Sequence, residues 1–262
     1  VICLKVKVLS RKGQNLQFLL EGTDTAFANS LRRIMITEIP TLAVEWVDMH
    51  ENNSALFDEI ISHRIGLIPL KFNPKKFLST EDCSCKKRGC PMCQAVLVLD
   101  RKGPCIVTAG DFKSSDKTVA PLDPRIPIVE LLEGQSLKLE AVARLGTGLK
   151  HAKHHAANAS YHYYPEIKVT GSQADVQRAL KNCPKGLVTA SGKKISVNDL
   201  LRSDVAIGCL REAEGIDARG DESRIIFSVE SISGLEPSYI VGRAAEILQE
   251  KADEFRKKLT KI

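Results

Sequence analysis

Apolar residues recur at helical spacing between Thr23 and Pro40, where Phe27, Leu31, Ile34 and Met35 form one stripe. Thr23, Asp24 or Thr25 supplies an N-cap oxygen, and Pro40 stops the helix. Arg32 and Arg33 flank the stripe. Upstream, residues 2 to 8 and 14 to 21 read as two strands joined by a turn at Lys12-Gly13-Gln14. Downstream, Thr41 to Met49 is β-branched and apolar enough for another strand. Glu51 to Ser54 is a polar loop. A second helix carries Phe57, Ile60, Ile61 and Ile65, with Gly66 and Pro69 closing it.

Gln94 to Asp100, Cys105 to Thr108, Ile128 to Leu132 and Leu137 to Leu145 resume strand patterning; Lys113 to Ile126 is a polar, Pro-punctuated loop. Gly146 to His155 is a loop that leads into a strand ending at Pro165. Residues 168 to 222 have the size of a small inserted subdomain. It holds helical patterns at Ala174 to Leu180 and Leu200 to Ala213 and a turn at Ser191-Gly192. Ile225 to Ser231 is a strand. Pro237 opens a long terminal helix with Ile240, Ala244, Leu248, Phe255 and Leu259 on one face.

Composition narrows the class. The 262 residues are 43% hydrophobic and 27% charged, ordinary for a globular protein. No stretch approaches the roughly 20 apolar residues that span a bilayer. The first residues alternate with lysines and read as a strand, not a signal peptide, which points to a cytoplasmic protein. The net charge of +6 is dispersed, and one Trp and four Tyr give no stacking groove, which disfavours direct sequence-specific nucleic-acid binding.

Chemistry concentrates in the cysteines. Cys83, Cys85, Cys90 and Cys93 have the spacing C-x-C-x4-C-x2-C, which lets four thiolates wrap a tetrahedral Zn²⁺. Lys86, Lys87 and Arg88 are expected to offset the thiolate charge and lower the thiol pKa values. A closed four-cysteine site has a structural role; the alternatives are free thiols or two disulfides. Cys183-Pro184 with Cys209 follows half of an iron–sulfur pattern, but Ser203 and Ala206 occupy the other two ligand positions. No cluster is expected there. Cys183 and Cys209 are either free or disulfide-bonded. His151, His154, His155 and His162 read as a solvated loop rather than a second metal site, because Gly146 and Gly148 argue against a firm helix and no carboxylate completes a zinc-protease motif. No phosphate loop, nucleophile elbow or other catalytic constellation occurs.

Asn29-Ser30-Leu31-Arg32-Arg33-Ile34 followed by Ile39-Pro40 resembles the signature helix of the alpha family of multisubunit RNA polymerases. His63 to Leu70, Leu122 to Leu131, Gly134 to Glu140 and Phe227 to Ser231 match further blocks of its archaeal, D-type branch in order. The resemblance spans essentially the whole chain. It implies an α+β protein with a discontinuous alpha-like dimerisation domain, residues 1–47 and 223–262. A mixed β domain with the four-Cys loop, 48–167, and a small ferredoxin-like domain, 168–222, are inserted into it. It implies a non-catalytic assembly platform within a nucleotidyltransferase complex. Such a platform pairs with subunit L, is joined by subunit N and carries the two large subunits, meeting DNA only through the complex. On this reading Phe27, Leu31, Ile34 and Met35 belong to a dimer seam. Arg32 and Arg33 are either contacts to a large subunit or a solvated rim. The competing reading is a stand-alone zinc- or redox-dependent nucleic-acid binder, supported by the charge and the cysteines.

Overall fold

The computed structural model describes residues 4–260. In chain order it comprises β1 (Lys5–Lys12), β2 (Asn15–Glu21), α1 (Thr25–Thr37), β3 (Thr41–Asn52), α2 (Asp58–Gly66), β4 (Leu70–Lys71), β5 (Gln94–Lys102) and β6 (Cys105–Thr108). Then come β7 (Lys113–Ser114), β8 (Ala120–Pro121), β9 (Pro127–Leu131), β10 (Ser136–Gly146), β11 (Ala157–Val169), α3 (Gln173–Asn182), β12 (Val188–Ser191), β13 (Lys194–Val197), α4 (Ser203–Arg211), β14 (Ile216–Ser231) and α5 (Pro237–Leu259). The chain is therefore α+β. It divides into two compact units, residues 1–33 with 159–230 and residues 34–158 with 231–262.

The first unit is built on a four-stranded sheet of order β1-β2-β14-β11. Register places Phe18 opposite both Val8 and Phe227, and the two phenyl rings stack at 5.0 Å. Leu20, Ile225 and Phe227 are buried, whereas Val6 and Val8 on the edge strand are 61% and 60% exposed. β11 runs through Pro165 to Val169 rather than stopping at the proline. As an edge strand it has no outer ladder bond for the missing N–H to break. Residues 169–218 add α3, α4 and the β12–β13 hairpin around a core of Val176, Leu187, Ala206 and Leu210. The Ser191-Gly192 turn is where the pattern placed it; Gly192 takes a φ of +62° that the two-residue loop requires. Its flanking strands are too short to declare themselves by alternation.

The second unit centres on the sheet β3-β10-β5-β7, with two-stranded ladders β4-β8 and β6-β9. Leu97, Leu99, Leu137, Leu139 and Ala141 form its interior. Lys113 to Ile126 is loop except for the two short bridges β7 and β8. On α5 the buried face is Ile240, Ala244 and Ile247. Phe255 and Leu259, expected on the same face, are 66% and 54% exposed. Periodicity identifies an apolar stripe but not whether anything covers it. Among the described residues no helix is long and apolar enough to cross a membrane.

Candidate metal centre and interaction surfaces

The four clustered cysteines lie on the loop between β4 and β5. Tight turns bend it: the Lys86 and Arg88 amides donate to the Cys83 and Cys85 carbonyls at 3.2 Å, and the Cys93 amide donates to the Cys90 carbonyl at 2.9 Å. Lys86 and Lys87 sit in the left-handed region, and Gly89 has a φ of +86°. These turns gather the sulfurs within 4.8 Å of one another. Cys83–Cys90, Cys85–Cys93 and Cys90–Cys93 sulfur separations are 3.5, 3.6 and 3.8 Å. A tetrahedron with metal–sulfur bonds of about 2.3 Å has edges of about 3.8 Å, so the cage fits a metal of that kind. All four are free thiols rather than disulfides, and Cys83 and Cys93 are buried.

The thiols do not share one lowered pKa, contrary to the expectation from the neighbouring cations. A backbone hydrogen bond from Cys85 favours the Cys83 thiolate, but burial and the other three thiols push it up to about 12. Burial opposes ionisation of Cys85, yet donors including Cys83 and the Gly89 amide bring it down to about 7. Burial raises Cys93. The reason is geometric: one ionised sulfur collects the hydrogen bonds of the rest, while Lys86, Lys87 and Arg88 face solvent. Among the described residues this is the one grouping of three or more His, Cys, Asp or Glu side chains arranged to hold a metal.

Cys183 and Cys209 are joined as a disulfide, their Cα atoms 5.3 Å apart. It ties the end of α3 to α4. Ser203 is buried and donates its hydroxyl to the Tyr163 carbonyl at 3.1 Å; Ala206 is wholly buried. The degenerate positions are thus built into the core of this lobe.

On α1, Asp24 caps the first turn by accepting from the Phe27 amide at 2.8 Å. Leu31, Ile34 and Met35 are buried within the chain itself, Phe27 is half-buried and Arg33 is exposed. The Arg32 guanidinium donates to Asn29 Oδ1 at 3.0 and 3.2 Å.

The histidines are not one solvated loop. His151 and half-buried His155 fit that description in part, but His154 is 2% exposed, its Nδ1 3.0 Å from the Thr41 carbonyl. Its Nε2 is 3.7 Å from Glu45, which also pairs with Lys153 at 3.2 Å. Burial lowers the His154 pKa below its ordinary value, despite the Thr41 hydrogen bond. Burial works against the Glu45 carboxylate, but Lys153 and His154 hold its pKa down. Sequence reasoning also missed Arg144, which lies 4.1 Å over the Trp46 ring and donates to Gln94 Oε1 at 2.9 and 3.3 Å. The available signal was strand pairing, since Arg144 stands opposite Gln94 in the β10–β5 register.

Residues 47–166 match the RNA polymerase Rpb3/RpoA insert domain. Over nearly its full length the chain is similar to DNA-directed RNA polymerase subunit Rpo3 of Archaeoglobus fulgidus, 35% identical over 98% of each chain. It is likewise 35% identical to Rpo3 of Pyrococcus horikoshii over 99% of each chain. DNA-directed RNA polymerase II subunit rpb3 of Dictyostelium discoideum is 33% identical, over 96% of this chain and 93% of that one. The chain belongs to the Rpo3/Rpb3 family of DNA-directed RNA polymerase subunits, whose archaeal members form the D-type branch.

Proposed function

We propose that this chain is a non-catalytic assembly platform of a DNA-dependent RNA polymerase. It pairs with the small subunit L, is joined by subunit N and anchors the two large catalytic subunits, meeting DNA only through them and working in the cytoplasm. The observation that carries this reading is 33–35% identity to polymerase subunits along nearly the whole chain. The division into a dimerisation domain, 1–47 and 223–262, with inserts at 48–167 and 168–222, the latter ferredoxin-like, belongs to the same proposal.

Pairing is supported by apolar side chains that the chain leaves uncovered. Leu248 is half-buried, and Ala252, Phe255 and Leu259, which follow it at steps of four, three and four residues, are exposed. That is the seam spacing of a helix with a helical partner. On α1, Phe27 is half-buried and Leu31, Ile34 and Met35 are buried, and the same proposal assigns this stripe to the dimer seam. Arg32 and Arg33 serve as contacts to a large subunit.

Cys83, Cys85, Cys90 and Cys93 hold Zn²⁺, which supplies rigidity to a loop with few apolar residues of its own. No iron–sulfur cluster binds at Cys183 and Cys209. Mixing the purified chain with subunit L tests the main reading: a one-to-one complex in analytical ultracentrifugation is expected, and two separate species would overturn it.

A further inference from the structure

The second unit carries a groove beside the cysteine loop that the assembly reading leaves without a task. One end is a cavity of about 390 Å³ whose apolar lining is Phe72, Phe77, Leu78, Leu145 and Tyr239, with the charges of Glu81 and Asp82 matched by Lys150 and Arg243. The other is a cavity of about 380 Å³ lined by Lys87, Arg144, Lys150, Lys153, Glu45 and Glu81. The two share Glu81, Leu145, Gly146 and Lys150, so they form one continuous depression within a single compact unit.

Its polar end has unbalanced charge. Lys153 is paired with Glu45 at 3.2 Å, and exposed Lys150 lies 3.7 Å from Glu81. Among the described residues neither Lys87 nor Arg144 has a carboxylate partner. Arg144 is held flat between a neutral amide and an indole face, which fixes its planar fork before any ligand arrives. Two cations without counter-charges in a concave, partly apolar site focus positive potential there.

We propose that this groove binds an acidic peptide segment of a partner protein. An apolar side chain of the segment enters the Phe72–Phe77–Leu145 end, and its carboxylates meet Arg144, Lys87 and Lys150. A nucleic-acid strand fits less well. It has nothing to fill the apolar end, and the Trp46 face on which a base would stack is occupied by Arg144. A second copy of this chain, at net charge +6, is a poor source of the counter-charge.

The test is fluorescence anisotropy on the whole isolated chain. The probe is a labelled peptide in which one leucine precedes a run of aspartates; controls carry asparagines instead, and an oligothymidylate serves as competitor. Saturable binding at about 10–100 μM is expected, about tenfold weaker for the asparagine peptide and falling with added salt. Lys87→Glu and Lys150→Glu, both at exposed positions, should each weaken it about tenfold with unchanged melting temperature. No saturation by about 1 mM, equal affinity for the asparagine peptide, salt-independent binding or stronger binding of the oligonucleotide each overturns the proposal. Because subunit L is absent from the experiment, its failure leaves the pairing hypothesis standing.

Discussion

His154 couples the stability of the second unit to pH. Its ring is buried and its pKa lies below the ordinary 6.5, so the unfolded chain binds the proton more readily than the folded one. Stability is therefore full above pH 6.5 and falls as the pH drops from there through the lower folded value. Glu45, held below its ordinary 4.5, adds a further loss in more acidic solution. Thermal melts from pH 7.5 to pH 5 should show the decline, and His154→Gln should flatten its upper part; a parallel slope in the variant would refute the assignment. Gly89 is equally specific. Its φ is +86°, and an added Cβ would run into the Gln94 side-chain amide. Gly89→Ala should therefore cost about 1–2 kcal/mol and loosen the cysteine loop. Denaturant titration and metal retention during dialysis are the measurements. A turn at Gly89 between the two cysteine pairs was legible in the sequence, but the contacts behind both effects were not. The sequence showed a histidine-rich loop and a glycine between cysteines, but not the Thr41 carbonyl or the Gln94 amide that each one meets.

Among elements, α1 and α5 differ in what an apolar stripe means. Leu31 is 4% exposed, so Leu31→Asp buries an unpaired charge and should destabilise the isolated chain by about 3–5 kcal/mol, whether or not a partner is present. Phe255 is 66% exposed, so Phe255→Asp should change chain stability by no more than about 0.5 kcal/mol while weakening the complex with subunit L. Paired melts and sedimentation separate the two. If Phe255→Asp pairs normally, the α5 stripe is not part of the seam. The Cys183–Cys209 bridge acts on α3 and α4 together. It closes a loop with a sequence separation of 26 residues, which corresponds to about 3.5 kcal/mol of chain entropy. Reduction by dithiothreitol should lower the protection of α3, α4 and the β12–β13 hairpin in hydrogen exchange, and unchanged protection would show the bridge to be dispensable.

Across the molecule, the metal loop and the disulfide reside in different compact units, so their effects should be separable. Protein purified without added metal should contain about one zinc per chain. Chelation should expose residues 79–93 to protease while the β3-β10-β5-β7 sheet stays protected by its own strand ladder and its buried Leu97, Leu99 and Leu139. Iron in place of zinc, together with a visible chromophore, would overturn both cofactor assignments.

Local pattern was enough for the α1 and α5 stripes, the proline at the start of α5, the main strands and the cysteine spacing. These depend on backbone periods of two or 3.6 residues and on ligands close in sequence, so a window of about a dozen residues contains them. Folding in three dimensions settled which surfaces are covered and which distant groups meet. β11 passes through Pro165 because it lies at a sheet edge, and the bond between Cys183 and Cys209 depends on α4 folding back beside α3. Phe255 stays exposed while Leu31 is enclosed, although both sit on apolar stripes. Burial is a property of the neighbours a side chain acquires, and those neighbours come from parts of the chain that no local pattern connects.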